Sequence, residues 1–270
     1  MKKILKYLSI FLLPILILNI VLIIKYGYEG FSNLFIIEDM HSQYASLLSW
    51  FQSVLQGDNN LFYSFSKGIG GNMFSTFAYY LSSPLNLLLL FFDKSHYIDA
   101  IAVLINIKIG LASVSMYIFL KYKFKDMKFI NLMMFSIIYA LSGAIVNFYS
   151  NVMWIDVTYL MPLVIMGLDK LIHNVKSYQY IIFLAISIIS NFYIGYILCI
   201  FCVMYFVYEM VITYTKQDKK VIIECIKKFI LYSLLAGLIS SIILIPMLMD
   251  MRNMFRYDLN KPIFYFDYKE

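Results

Sequence analysis

Long apolar runs separated by short polar segments dominate this chain. A transmembrane helix needs about 20 mostly apolar residues, and seven stretches come close to or meet that length. They are residues 4–24, 98–120, 129–148, 155–172, 178–195, 196–214 and 229–249. The pattern predicts an all-α integral membrane protein, a polytopic helix bundle with about seven transmembrane helices.

Composition supports the same class of protein. Of the 270 residues, 62% are hydrophobic and 14% are charged, and the mean hydropathy is +0.77. Soluble domains contain roughly 45–50% apolar and about 25% charged residues. These values exclude an ordinary water-soluble enzyme and leave the distribution of charge along the chain as the guide to its topology.

One apolar stretch, residues 73–92, is interrupted by Ser82, Ser83 and Pro84. If it does not span the membrane, 14 of the 22 lysines and arginines lie at the N-terminus and in the loops of one side. Lysine and arginine favour the cytoplasmic side. The charges therefore predict a cytoplasmic N-terminus and a long external loop, 25–97, in which 73–92 is re-entrant or interfacial.

The rest of the predicted topology follows from this assignment. Six further spans occupy 98–250, and residues 251–270 form an external tail. A tail of this kind is an unusual place for a protein to end. We therefore expect residues 1–270 to be a single transmembrane module, the N-terminal part of a longer protein.

The external loop contains an amphipathic helix at residues 40–56. Its apolar side chains recur at helical spacing, while serines occupy the other side. The apolar positions are Tyr44, Leu47, Leu48, Phe51 and Leu55. Because it follows a transmembrane helix, we expect it to lie in the outer membrane interface, with Trp50 and Phe51 as anchors.

Acidic and basic side chains gather just before this helix. Asp39 stands where an N-cap would stand, and a capping carboxylate accounts for it without any function. Alternatively, Asp39 is a general base, or a carboxylate that binds a cation. Glu38 and His41 are further candidates to carry a proton.

A glycine-rich segment follows, in which Lys67 precedes Gly68, Gly70 and Gly71. Glycine permits positive φ and close approach of the backbone. The segment fits a plain turn, or a loop whose N–H groups and lysine bind a phosphate. The spacing of a Walker loop is absent.

Two charged residues accompany the predicted spans. Asp156 begins the fourth span on the same predicted side as Asp39, so the two carboxylates are candidates for one shared site, with or without a divalent cation. Lys108 lies in the middle of a span, where a lysine costs about 2.5–3.5 kcal/mol. It either pairs with a polar neighbour such as Asn106 or Asn147, or meets an anionic ligand.

Four short patterns stand out along the chain. They are D-x-x-x-Q-Y from Asp39, G-x-G-G-N from Gly68 to Asn72, A-Y-Y-x-x-S-P-x-N around Tyr79 and Tyr80, and M-W-x-D ending at Asp156. With the segments around them, they resemble the YfhO family of bacterial membrane proteins along nearly the whole chain. Their combination is far more specific than any one of them.

The resemblance implies a C-type glycosyltransferase fold in the bacterial plasma membrane, with the active face external. It implies transfer of a sugar from a polyprenyl-phosphate carrier to a cell-envelope polymer such as lipoteichoic acid. Asp39 matches the essential acid of the first external loop, and Asp156 matches a second acid. Lys67, Lys108 or Arg252 would meet the phosphate. No cofactor is certain, although a divalent cation is possible.

Two other classes of function remain open at this point. A lipid or polymer transporter would use Lys108 and the broken 73–92 stretch as its pathway, and a non-catalytic scaffold would organise envelope assembly. The expected partners are membrane lipid, lipid-linked sugar and a polymer acceptor, with no nucleic acid. The identity of the sugar and the oligomeric state are not predicted.

Overall fold

The computed structural model describes residues 2–27, 32–68, 70–175, 177–214 and 219–260. In these residues it contains ten α-helices and a two-stranded antiparallel hairpin, β1 (Tyr63–Ser64) with β2 (Gly71–Asn72). The helices are α1 (Lys2–Tyr26), α2 (Ala45–Leu55), α3 (Phe74–Tyr80), α4 (Tyr97–Lys123), α5 (Phe129–Ala140), α6 (Gly143–Val146), α7 (Val152–Ile172), α8 (Gln179–Ser190), α9 (Phe192–Tyr214) and α10 (Lys219–Asn260). The protein is a polytopic all-α membrane protein.

Six helical segments of the described chain are long and apolar enough to cross a membrane. They are Ile4–Tyr26, Lys94–Lys123, Phe129–Val146, Val152–Ile172, Phe192–Tyr214 and Lys219–Arg252. A seventh crossing exists only if the bent pair Phe74–Tyr80 and Pro84–Phe91 is counted as one span. Which side of the membrane each end faces stays a prediction.

The predicted span 178–195 is replaced by a shorter helix. α8 has 12 residues, about 18 Å at 1.5 Å per residue, which is well short of a bilayer core of about 30 Å. Asn191 ends it, because its Oδ1 accepts a hydrogen bond from the Ile194 N–H at 2.8 Å and thereby caps α9. The prediction was wrong here because the apolar run hides a polar break.

The 73–92 stretch is sharply bent, with α3 and the 3₁₀-helix Pro84–Phe91 meeting at 96°. Its two flanks meet, since Lys94 after the stretch pairs with Asp58 before it, with an Nζ–Oδ2 distance of 2.5 Å. Gln52 of α2 also donates to the Leu89 and Phe92 carbonyls. Both ends therefore lie at the same end of the bundle, which we name the loop end; whether the stretch is re-entrant or interfacial stays a prediction.

Helices α4 and α7 form the centre of the bundle. In the most apolar 18-residue segment of each helix, 61% of the residues are buried in α4 and 72% in α7, compared with 11% in α10. Small residues permit this packing: a Cβ on Gly110 of α4 would lie 2.5 Å from the Phe11 ring. A Cβ on Gly167 of α7 would overlap the backbone of Tyr180. Groups on the buried faces of α4 and α7 are therefore shielded from lipid.

The amphipathic helix predicted at residues 40–56 is present, although its start is unusual. A π-helical turn, Met40–Tyr44, leads into α2. The predicted apolar face is the packed face, since Tyr44, Leu48 and Phe51 are buried. Phe51 thus packs against the bundle instead of anchoring in the membrane interface.

The last helix is longer than predicted. α10 continues to Asn260, so the first half of the predicted tail 251–270 is helical. The second half, 261–270, lies outside the described residues.

Candidate functional site

Asp39 is exposed and is not used as a helix cap. It precedes the π-helical turn, but its side chain makes no capping hydrogen bond. The neighbouring Glu38 has φ of 50°, in the left-handed region that costs a non-glycine residue about 1–3 kcal/mol. Strained backbone and π-helical turns are both concentrated at functional sites. The capping explanation of Asp39 is thus not supported by its geometry.

Tyr44 connects Asp39 to the helix bundle. Its hydroxyl lies 3.2 Å from Asp39 Oδ2 and 2.8 Å from Asn151 Oδ1, at the start of α7. A phenol carries one proton, so it donates to one of these oxygens at a time. Burial, followed by the charge of Asp39, raises the pKa of Tyr44 above its ordinary value. Tyr44 therefore stays a neutral donor that holds the Asp39 carboxylate in place.

The other two proton-carrying candidates have different surroundings. Glu38 is exposed, and its Oε2 accepts a hydrogen bond from the Ser150 hydroxyl at 3.3 Å. His41 is also exposed, and its backbone N–H bonds to the Glu38 carbonyl at 3.1 Å. Both side chains lie on the same turn as Asp39, so the predicted group of three is kept together by local sequence.

A cavity of about 510 Å³, which we name the loop cavity, opens at the loop end beside this turn. Tyr80 lines it, and the Tyr80 ring centroid lies 5.5 Å from that of Tyr44. Its polar and aromatic lining includes Gln43, Ser46, Trp50, Lys67, Thr76 and Tyr80. The size suits a small ligand. The sequence did not predict Gln43, Trp50 or Thr76 as site residues.

Lys67 is fixed at the wall of the loop cavity. Its Nζ donates to the Asn72 carbonyl at 2.7 Å and to Thr76 Oγ1 at 3.3 Å. Gly68 and Gly70 have φ of 63° and 116°, and a Cβ on Gly70 would overlap the Tyr63 hydroxyl. The glycines thus serve the turn that joins β1 to β2, with Gly71 paired to Ser64 in the hairpin.

Asp250 was missed by the sequence reasoning. It lies on α10, is buried, and accepts the Ser75 N–H at 2.9 Å in the first turn of α3. The positive charge of Lys67 also acts on the Asp250 carboxylate. A carboxylate from the far end of the described chain thus holds the segment that carries the loop cavity. Its position inside an apolar run was the only available signal.

Asp156 and Lys108 form a sealed ion pair. The Nζ–Oδ2 distance is 2.6 Å and neither side chain is exposed. Lys108 also donates to the Val152 carbonyl at 2.9 Å, and the Ser83 hydroxyl donates to Asp156 Oδ1 at 2.7 Å. Asp156 is therefore not a carboxylate facing a shared open pocket with Asp39. It fixes Ser83, at the bend between α3 and the 3₁₀-helix Pro84–Phe91.

The remaining predicted residues are spread around the same end of the bundle. The Tyr79 carbonyl accepts from Asn191 Nδ2 at 2.8 Å, and its ring contacts that of Phe192. Asn72 is exposed in β2. Arg252 is exposed on α10, two residues after Asp250. The structure thus gives Tyr79 a packing role and brings Lys67 and Tyr80 to the cavity.

A second charged cluster, also missed, joins α4, α7 and α9. Lys123 Nζ lies 2.5 Å from Asp169 Oδ1 and 2.8 Å from Glu209 Oε1. The Tyr205 hydroxyl lies 2.9 and 3.0 Å from the same two carboxylates and donates to one of them at a time. Glu209 is buried and paired, and the cluster is closed by its own contacts.

The described residues offer few side chains that could bind a metal ion together. Within the described ranges no group of three or more histidine, cysteine, aspartate or glutamate side chains could hold a metal ion. Asp39 is exposed, whereas Asp156 is buried and paired with Lys108. The two carboxylates therefore do not form the shared cation site that the sequence suggested. A role for Asp39 alone in binding a cation stays a prediction.

Comparison with known proteins agrees with the membrane fold. The family model described as "Bacterial membrane protein YfhO" matches residues 9–269. The chain is also 27% identical over 217 residues to "Uncharacterized protein YfhO" of Bacillus subtilis (strain 168), an alignment that covers 73% of this chain and 24% of that protein. The chain thus spans about a quarter of the length of the curated relative it matches. No solved structure matches it.

Proposed function

This chain belongs to the YfhO family of bacterial membrane proteins, and we propose that it is the membrane module of a glycosyltransferase. The proposed reaction moves a sugar from a polyprenyl-phosphate carrier to a cell-envelope acceptor, such as lipoteichoic acid, on the external face. The observation that carries the proposal is Asp39. This exposed carboxylate lies within hydrogen-bond distance of the Tyr44 hydroxyl, and Gln43 of the turn that follows it lines a cavity large enough for a sugar head group.

The proposed chemistry is a substitution at the anomeric carbon of the donor sugar. A hydroxyl oxygen of the acceptor forms a bond to C1 while the bond from C1 to the phosphate oxygen breaks. The electron pair leaves with the lipid phosphate, and Asp39 takes the proton of the attacking hydroxyl. Because Asp39 is exposed, the proton then passes to solvent water.

A second cavity supports a reaction between two substrates. Its volume is about 560 Å³, and it adjoins the loop cavity, with which it shares Ser64 and Ser66. It is more polar in its lining, which includes Asp58, Asn59 and Asn60. We propose that the donor head occupies the loop cavity and that the acceptor approaches through the second cavity. In the whole protein, further parts of the chain can contribute to the acceptor site.

The transporter alternative is less well supported by the contacts of Lys108. A residue that gates a pathway must exchange partners, whereas Lys108 is fully buried with Asp156 and the Val152 carbonyl. Breaking such a pair leaves an uncompensated charge, which is strongly unfavourable. The scaffold alternative gives no reason for an exposed, oriented carboxylate beside a cavity.

Replacement of Asp39 by asparagine tests the proposal, because it keeps the shape of the side chain and removes its basicity. A glycosyltransferase should lose polymer glycosylation while the amount of protein in the membrane is unchanged. A transporter or a scaffold should instead retain its function with Asp39→Asn.

A further inference from the structure

We infer that a groove between α1 and α4, at the end of the bundle opposite the loop end, binds an anionic phospholipid. One acyl chain lies in the groove, and the phosphate of the head group lies between Lys6 and Lys121. The inference goes beyond the proposed sugar transfer and does not depend on it, since the groove shares no residue with either cavity at the loop end.

The groove lies where α1 begins and α4 ends. α4 starts shortly after Lys94, which belongs to the loop end, so the close of α4 at Lys123 lies at the opposite end of the bundle. Two apolar residues near the start of α1, Ile4 and Leu8, are 73% and 48% exposed. The described chain therefore leaves this surface open.

The lining of the groove suits a hydrocarbon chain. Its volume is about 510 Å³, within the range of sites that hold a small ligand, and its residues are Ile4, Tyr7, Leu8, Phe11, Leu111 and Val114. Apart from the Tyr7 hydroxyl, these side chains offer no hydrogen-bonding group. An apolar chain is therefore the ligand that fits the groove itself.

A row of three aromatic rings stands beside the groove. Tyr7, which lines the groove, meets the edge of Tyr117 with their centroids 5.5 Å apart. Tyr117 in turn meets Phe129, the first residue of α5, at 6.1 Å. Tyrosine, with its apolar ring and polar tip, is enriched at membrane–water interfaces. The aromatic row thus indicates that lipid head groups lie at this level, next to the groove.

Lys6 and Lys121 place two positive charges on the aromatic row. Lys6 Nζ lies 4.7 Å from the centroid of Phe129, and Lys121 Nζ lies 5.7 Å from that of Tyr117. The attraction of an ammonium group to an aromatic face holds both charges near the groove. Both lysines are exposed, and in the described ranges no carboxylate lies within 4.0 Å of either Nζ. Neither charge is therefore held in an ion pair with the described chain.

The sign of the charge around the groove selects the head group. Residues 121–128 contain four lysines and one aspartate, and α1 begins with two further lysines. Of the four, Lys123 is turned inward to Asp169 and Glu209. Basic pockets between transmembrane helices bind anionic lipid head groups, whereas phosphatidylcholine carries its own cation. The charge therefore favours an anionic phospholipid.

Native mass spectrometry of the purified full chain measures the binding, because it counts the lipids that each protein molecule carries. The protein is titrated in a neutral detergent with dioleoyl phosphatidylglycerol. Dioleoyl phosphatidylcholine has the same chains and no net charge, and glycerol 3-phosphate is a head group without chains. We expect one phosphatidylglycerol to bind most tightly, phosphatidylcholine to bind more weakly, and glycerol phosphate not to bind measurably.

Removal of the two charges tests the head-group contacts. The double variant Lys6→Gln with Lys121→Gln should weaken the binding of phosphatidylglycerol about 25-fold, since each lysine near a lipid head group contributes about fivefold. The matched control is Lys25→Gln, which removes a lysine that lies over the Tyr26 ring at the other end of α1. This control should bind phosphatidylglycerol as tightly as the parent protein.

Filling the groove tests the position of the acyl chain. Val114→Phe enlarges a lining residue and leaves every charge in place. It should weaken the binding of both lipids, because the added ring occupies the space of the chain. The matched control is Leu16→Phe, which enlarges an exposed residue of α1 outside the groove and should have no effect.

The inference is overturned if the double lysine variant binds phosphatidylglycerol as tightly as Lys25→Gln, or if Val114→Phe binds it as tightly as Leu16→Phe. Equal binding of the two lipids to the parent protein would contradict the selection by charge. Tight binding of glycerol phosphate would indicate a site for a free anion instead. Dimers that carry no lipid and dissociate in Val114→Phe would show that a second copy of the chain covers the groove.

Discussion

Lys108 and Asp156 form an ion pair with an Nζ–Oδ2 distance of 2.6 Å, and neither side chain is exposed. The pair joins α4 to α7, and through the Ser83 hydroxyl it also fixes the bend between α3 and the 3₁₀-helix Pro84–Phe91. Two residues that looked functional from sequence therefore support the framework on which the loop cavity is built.

The buried pair predicts a strong effect when only one partner is removed. Lys108→Met should destabilise the protein by about 3–5 kcal/mol, because Asp156 is left as an unpaired buried charge. The double variant Lys108→Met with Asp156→Leu should recover most of that loss. Thermal unfolding followed by size-exclusion chromatography measures both. A single variant as stable as the double variant would contradict a sealed ion pair.

Close packing of α7 against α8 predicts a difference between two glycines. Gly167→Ala should lower the unfolding temperature, since the new Cβ would overlap the Tyr180 backbone. Gly237→Ala is the control, because nothing lies within 4 Å of its Cβ position. In a helix interior that change should stabilise by up to about 1 kcal/mol. Equal effects of the two substitutions would refute the predicted contact between α7 and α8.

The contact between Tyr44 and Asp39 predicts a loss of orientation. Tyr44→Phe keeps the packed ring and removes the hydroxyl that bonds to Asp39 and Asn151. Sugar transfer should fall by about tenfold, because a misoriented base is less effective, while the amount of folded protein stays similar. A matched control is Tyr178→Phe, which changes an exposed tyrosine that lines neither cavity. Unchanged transfer in Tyr44→Phe would argue against this orienting role.

The buried phenol of Tyr149 should make the stability of the protein sensitive to alkaline pH. Burial raises the pKa of Tyr149 to about 12, from an unfolded value of about 10. The neutral phenol is thus favoured in the folded protein. Its stabilisation is fully present below about pH 10 and is lost as the pH rises through the folded pKa of about 12. Tyr149→Phe should show a smaller loss of stability between these two values than the parent protein, as measured by thermal unfolding.

The sequence predicted the membrane class and most of the long helices because apolar length is a strong, local signal. It also predicted the helix after Asp39, whose apolar positions recur at helical spacing. It did not predict the end of α8 at Asn191. That break depends on one polar side chain that caps α9 and bonds to the Tyr79 carbonyl, and no periodicity reveals such a contact.

The candidate site was predicted only in part for a similar reason. Asp39 and Lys67 lie in loops, where a charged residue in the sequence is enough to suggest a site. Pairing of side chains across the bundle cannot be inferred from the sequence. Asp156 was therefore expected to face an open pocket, and Asp250 was overlooked. Distances along the chain are large for these contacts: Asp250 binds the N–H of a residue 175 positions earlier. Only the packed fold brings such groups together.

Replacement of Asp39 by asparagine tests the central claim most directly. The gene for this chain, carrying Asp39→Asn, is used to complement a deletion strain, and the sugar content of the envelope polymer is measured beside the amount of protein in the membrane. Asp93→Asn is the matched control, since Asp93 is exposed at the same end and makes no side-chain cap.

We expect Asp39→Asn to reduce transfer by about 10²-fold or more, the usual contribution of a general base, with normal protein levels and normal transfer in the control. Polymer glycosylation that persists at the parent level in Asp39→Asn would contradict the account.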